Sequence, residues 1–143
     1  MNLQDCIKFA NEHPVCYFAT IEGNQPRVRV VQLWFADDKG FYFQTQSTKS
    51  VCKQLKNNNK VEICFYAPGP DLGTVMRVSG KIEFIDDIAQ KNKVLTDRPF
   101  LLEMGVKGPE DPLLTIFRVS SGEAYFWTAA DSMKEEQIKR IKF

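Results

Sequence analysis

The stretch Gln25-Pro26-Arg27-Val28-Arg29-Val30-Val31-Gln32-Leu33-Trp34-Phe35, with its continuation to Leu55, decides the fold. Apolar and polar residues alternate from Arg27 to Phe35, the period of a strand. Val28, Val30 and Gln32 fall on one face, and Arg27, Arg29, Val31 and Leu33 on the other. Asp37-Asp38-Lys39-Gly40 reads as a turn, and the aromatic run Phe41-Tyr42-Phe43 as a second strand that pairs with the first in a hairpin. A polar elbow follows, Gln44-Thr45-Gln46-Ser47-Thr48-Lys49-Ser50, and opens a helix over Thr48 to Lys56. Helix N-terminal N–H groups beside arginine and lysine favour an anion such as phosphate. The apolar and aromatic neighbours suit a flat ring.

The flanking sequence extends the same pattern. Leu3 to Asn11 forms an amphipathic helix stopped by His13-Pro14. Val15–Thr20, Val61–Ala67 and Thr74–Ile85 read as strands, the last with a bulge or bend at Gly80. Asp86-Asp87 caps a helix from Ile88 to Leu95, and Pro99 to Pro112 is irregular. Leu113–Val119 and Ala124–Thr128 read as a final hairpin turning at Ser120-Ser121-Gly122-Glu123, before a charged, helix-compatible tail. The expectation is one domain over residues 1–143, mainly β with short helices tucked between about six antiparallel strands, closed as a barrel.

Composition narrows the function classes. The 143 residues carry a net charge of only +1, which argues against a general nucleic-acid binder. Eleven phenylalanines suit a β-rich core or an interface that buries rings. The four cysteines, Cys6, Cys16, Cys52 and Cys64, lie far apart with no histidine at ligand spacing, so no metal site is expected. Reduced thiols, no signal peptide and no long apolar run give a cytoplasmic expectation with no membrane partner.

The Gln25–Leu55 stretch resembles the FMN-binding split barrels, the superfamily that includes pyridoxamine 5′-phosphate oxidase. Two further pieces carry the resemblance: Met76-Arg77-Val78-Ser79-Gly80-Lys81-Ile82-Glu83-Phe84, and Ala124-Tyr125-Phe126-Trp127 with its Phe-Trp pair. The resemblance implies a homodimeric six-stranded split barrel that binds FMN at the subunit interface and passes hydride or electrons through it. It places Arg29 and Lys49 on the flavin phosphate, with Ser47 and Thr48 beside them. Val30, Val31 and Gln32 would lie along the ring edge, and Gln44 and Thr45 would meet the flavin. Trp127 would cover the ring of the other subunit. Read from chemistry alone, Arg29 is equally a solvated strand arginine, Lys49 an exposed first-turn lysine, and Trp127 a core residue. Arg77 is expected in an ion pair with Glu62 or Glu83, and Arg27 at the surface.

Departures from the oxidase itself point away from vitamin B6 chemistry. Trp34 stands where that enzyme has a substrate-binding lysine, and Val75 where it has a flavin-contacting glutamine. Met133-Lys134-Glu135 lies near the place of its Arg-x-His element, and Gln137 replaces a final basic residue. The length and the Tyr-Phe-Trp ending look more like the NimA/NimC nitroimidazole-resistance branch or the general-stress flavoproteins. The expected activity is FMN-dependent reduction of a small electron-poor acceptor, a nitroaromatic or a quinone. Alternatives are a non-catalytic flavin carrier or stress protein, a deazaflavin- or haem-binding relative, and a small-barrel binding module with no flavin.

Overall fold

The computed structural model describes residues 1–143. Its elements run α1 (Leu3–Glu12), β1 (Val15–Glu22), β2 (Gln25–Gln32), β3 (Phe35–Asp37), β4 (Gly40–Gln46), α2 (Ser50–Asn57), β5 (Lys60–Ala67), β6 (Thr74–Ile85), α3 (Ile88–Asp97), α4 (Phe100–Glu103), β7 (Leu114–Thr128) and β8 (Ile141–Lys142), with two short 3-10 turns between β7 and β8. Eight strands, not six, form one antiparallel sheet in the order β2-β1-β5-β6-β7-β4-β3, and β8 pairs with β7.

The expected hairpin between Arg27–Phe35 and the aromatic strand is corrected. β2 pairs along its whole length with β1, and only β3 pairs with β4. The chain breaks stride at Leu33 and Trp34, whose N–H groups donate to Pro14 O at 2.8 Å and Tyr42 O at 2.9 Å. Leu33 is buried, and its partner Pro14 lies just before β1 whereas Tyr42 lies on β4. These two residues therefore step from one edge of the sheet to the other. That step rolls the sheet into a barrel with a seam between β2 and β4.

The expected C-terminal hairpin is also corrected. β7 is one strand of fifteen residues, paired with β6 from Thr128 back to Ile116. Ser120-Ser121-Gly122-Glu123 has turn-forming composition, but it supplies a close crossing instead. A Cβ on Gly122 would sit 1.9 Å from Ser79 O, and one on Gly80 would sit 2.2 Å from Ser121 O. Gly80 faces Gly122, and the register shifts at Lys81/Ile82, so the bulge expected at Gly80 falls immediately beside it. The tail forms 3-10 turns and β8 rather than a helix.

Twenty buried residues form the main core, filled by Phe18, Phe41, Phe43, Phe65 and Phe117 among others. Phe18 meets Phe43 and Phe117 edge-on at 5.1 and 5.7 Å, and Phe43 stacks on Phe117 at 5.5 Å. A second cluster, Val94, Leu101, Val106, Leu114 and Ile116, seats α3 and α4 on the start of β7. Burial pushes the Cys6 thiol up to about 11 and Cys16 to about 12, so both act as inert apolar side chains. No helix is long and apolar enough to cross a membrane, and no group of three His, Cys, Asp or Glu is placed to hold a metal.

Candidate functional site

A cavity of about 250 Å³ opens at the seam, where β2, β4, α2 and α4 converge. Phe18, Phe43 and Phe117, the aromatic triad of the core, form its apolar wall. Arg29, Val30, Val31, Gln32, Gln44, Thr45 and Lys49 all line it, so seven of the sequence-derived site residues meet in one place although β2 and β4 share no hydrogen-bonded ladder. Ser47 and Thr48 do not line it. They lie in the turn before α2, where Ser47 N–H donates to Leu113 O at 2.9 Å.

Arg29 faces inward because its neighbours in β2, Val28 and Val30, take the outer face and are 69% and 62% exposed. Its Nη1 donates to Phe18 O at 3.3 Å and to Thr20 Oγ1 at 2.7 Å, and its Nη2 donates to Gln54 Oε1 at 2.5 Å. A guanidinium carries five N–H donors. The Nε proton and one Nη2 proton are therefore free for a ligand. Burial holds the Arg29 pKa below its ordinary value, which is the desolvation cost of a cation without a carboxylate beside it.

Lys49 is the N-cap of α2, in extended conformation, and no side chain caps this helix. Lys49 thus lines the cavity at the uncapped start of α2. α2 presents Val51 to the cavity and buries Cys52, Gln54 and Leu55 beneath it.

Arg98 is the residue the sequence reading missed. It follows α3, just before the Pro99–Pro112 segment read as irregular, which in fact holds the short helix α4, and its side chain crosses the seam. Nη1 donates to Gln44 Oε1 at 2.8 Å, and Nη2 to Leu33 O at 2.8 Å and Gln32 O at 3.4 Å. The end of β2 and the middle of β4, which no ladder joins, are clipped together by this guanidinium. Phe100 and Met104 beside it line the cavity and remain 49% and 51% exposed, as an apolar rim. An arginine directly before a proline at a helix end was the available signal.

The charge balance is decisive for what the cavity accepts. Arg29, Lys49 and Arg98 line it, and no Asp or Glu does. None of the three is in a salt bridge, whereas Arg27 pairs with Glu22 at 2.9 Å, Arg77 with Glu62 at 2.7 Å and Arg118 with Glu83. Arg27 and Arg77 are thus surface ion pairs, and the second partner of Arg77 is Glu135 at 3.1 Å rather than Glu83. Three cations with no carboxylate partner thus stand around an aromatic wall.

Trp127 lies elsewhere. In β7 it faces Val75 across β6, eleven residues beyond Ile116, which pairs with Gln44 at the cavity. Trp127 does not line the cavity of its own chain. His13 closes α1 against the Phe9 ring, centroids 4.8 Å apart, and also lies outside the cavity.

A rolled antiparallel sheet with short helices packed at its seam is the split-barrel architecture. The chain belongs to the pyridoxamine 5′-phosphate oxidase family, whose profile matches residues 4–128. It is similar to the solved structure of a NimC/NimA family protein from Clostridium acetobutylicum, with a TM-score of 0.79, 26% identity, and coverage of 98% of this chain and 92% of that one. General Stress Protein 26 from Bacillus anthracis str. Sterne superposes with a TM-score of 0.74 at 17% identity, covering both chains completely. An FAD-binding protein from Mesorhizobium loti gives a TM-score of 0.70 at 16% identity over 88% of this chain and 94% of that one. No curated protein sequence matches the chain.

Proposed function

We propose that the chain is an FMN-binding flavoprotein that reduces a small electron-poor molecule of the nitroaromatic or quinone type. One observation carries the flavin reading: the cavity joins three unpaired cations to an aromatic wall and contains no carboxylate. Arg29, Lys49 and the open start of α2 would hold the phosphate. Val30, Val31, Gln32, Gln44 and Thr45 would line the ring. Bound FMN supplies the two-electron chemistry, and the protein's part is binding, orientation and exclusion of water. FMN is expected to bind at least tenfold more tightly than riboflavin, because each charge-assisted phosphate bond contributes about 1.5–3 kcal/mol. Equal affinities in a fluorescence titration would remove the phosphate from this pocket.

The acceptor reading rests on side chains that are otherwise engaged. Trp34 donates from Nε1 to Asp97 Oδ2 at 2.9 Å and carries Lys93 over its ring at 4.7 Å, outside the cavity. Glu135 binds Arg77 and the Tyr125 hydroxyl, and Met133 is 92% exposed. None of these serves a vitamin B6 phosphate. Steady-state reduction of a nitroaromatic or quinone should exceed oxidation of pyridoxamine 5′-phosphate; robust pyridoxal phosphate formation would overturn the reading. No His, Cys, Asp, Glu or Tyr lines the cavity to act as proton donor, which favours the flavin-carrier reading should no acceptor be reduced.

A homodimer belongs to the same proposal. At 250 Å³ the cavity is smaller than the roughly 300–1,000 Å³ usual for a small-molecule site. Val15, Tyr17, Val28, Val30 and Tyr66 form an exposed apolar face on β1, β2 and β5, continuous with the cavity at Val30. A second copy seated there by two-fold symmetry would enlarge the site and bring a Trp127 that its own chain cannot use. Trp127→Ala should then weaken FMN binding and relieve flavin fluorescence quenching. An FMN-saturated monomer in light scattering would reject the shared site.

A further inference from the structure

Only three polar side chains belong to the buried set: Thr20, Thr45 and Gln54, at 2%, 5% and 5% exposure. Thr20 and Gln54 both hold Arg29. Gln54 lies on the inward stripe of α2, between Val51 and Leu55, where an apolar residue is the ordinary occupant. Both ends of its amide are engaged. Oε1 accepts from Arg29 Nη2 at 2.5 Å and from Thr20 Oγ1 at 2.6 Å, and Nε2 donates to Glu22 Oε2 at 3.2 Å. Glu22 in turn accepts from Arg27 Nη2 at 2.9 Å. The line of groups from surface to cavity is therefore cation, anion, neutral amide, cation.

We infer that Gln54 is the positioning residue that makes this cavity select an anion: it orients the Arg29 guanidinium while keeping the Glu22 carboxylate off it. The inference rests on the reading that Arg29 binds the FMN phosphate. The physical reason lies in what a buried arginine accepts. A carboxylate in the place of Gln54 would form a bidentate pair with Arg29 and cancel its charge toward the cavity. An apolar side chain there would leave Nη2 without its acceptor and let the guanidinium turn away. A neutral acceptor does neither. It satisfies one N–H, leaves the positive charge uncompensated, and directs the remaining protons at the ligand. Thr20 acts in the same sense from β1, as a second neutral acceptor. Glu22, bonded to the amide nitrogen of Gln54, fixes which way the amide faces, so that its oxygen and not its nitrogen meets Arg29.

The test compares FMN and riboflavin titrations of the full chain in wild type, Gln54→Glu and Gln54→Met. Gln54→Glu should weaken FMN binding by about ten- to a hundredfold while riboflavin affinity stays within about twofold, the loss of one charge-assisted bond. Gln54→Met should give a smaller FMN-only loss, because the charge survives but its orientation does not. The salt dependence of FMN binding should flatten in Gln54→Glu and persist in Gln54→Met. A merely structural role would weaken both flavins equally and leave the salt dependence alone. If Gln54→Glu does not fold, Thr20→Val, which removes the other neutral acceptor, should show the smaller FMN-only loss expected of Gln54→Met. A wild type that fails to prefer FMN would sink the flavin-phosphate reading. A wild type that prefers FMN, with variants that keep that preference, would overturn the role of Gln54 alone.

Discussion

Phe18→Ala is expected to destabilise the fold by about 3–5 kcal/mol, the range for deleting a buried phenyl ring. The Phe18 side chain is fully buried and meets Phe43 and Phe117 at 5.1 and 5.7 Å. Phe43 and Phe117 are ladder partners on β4 and β7, and Phe18 on β1 meets them only because the sheet rolls. Truncation removes the ring that the other two pack against and leaves a hole in the cavity wall. For a chain of this length the melting temperature should fall by roughly 10–20 °C. Thermal unfolding followed by circular dichroism measures it. A drop of only a few degrees would mean that the wall collapses inward and that the rings do not hold the seam together. The variant should also bind flavin weakly even where it remains folded, since the Phe18 ring lines the cavity.

The second large effect concerns binding without stability. Arg29→Ala and Lys49→Ala should each weaken FMN affinity by about ten- to a hundredfold and leave the melting temperature of the flavin-free protein close to wild type. Neither side chain is in a salt bridge, in contrast to Arg27 and Arg77, so neither deletion strands a carboxylate. Arg29→Ala does leave Thr20 and Gln54 without their cation, but these two still bond each other at 2.6 Å. The two losses should differ in salt dependence. Lys49 is exposed and would be strongly screened, whereas Arg29 is half-buried and would be screened less. Isothermal titration at two ionic strengths reads both. Wild-type affinity in both variants would return Arg29 and Lys49 to ordinary solvated cations and would leave Arg98 as the only candidate for the anion.

Much of this was legible in the chain because it is local. Alternation in Arg27–Leu33 put Arg29 and Val31 on the face opposite Val28 and Val30, and the structure keeps that division. The apolar stripes of Leu3–Glu12 and Ser50–Asn57 produced α1 and α2 within two residues of their read limits. Turn residues at Asp37–Gly40 produced the bend into the aromatic strand. Each of these follows from the period of a single element or from the torsions a few residues allow.

What misled is also physical. Turn-forming composition at Ser120–Glu123 cannot be told from a glycine crossing, because the partner that requires Gly122 is Gly80, some forty residues earlier in the chain. Strand order is likewise not a local property. Arg27–Phe35 and Gly40–Thr45 have every mark of a hairpin, yet β2 prefers β1 and the two strands meet only across a seam.

The sequence by itself determined α1, α2 and α3, the strands β1, β4, β5 and β6, the alternation that puts Arg29 opposite Val28 and Val30, and the absence of charge excess, since all of these are set by neighbours a few residues apart. The tertiary structure alone decided that Arg98 crosses the seam to Gln44 and Leu33, that Gln54 stands between Arg29 and Glu22, and that Trp127 does not line the cavity of its own chain. The Arg98 and Gln54 contacts join residues 25 to 65 positions apart, so no local pattern carries them.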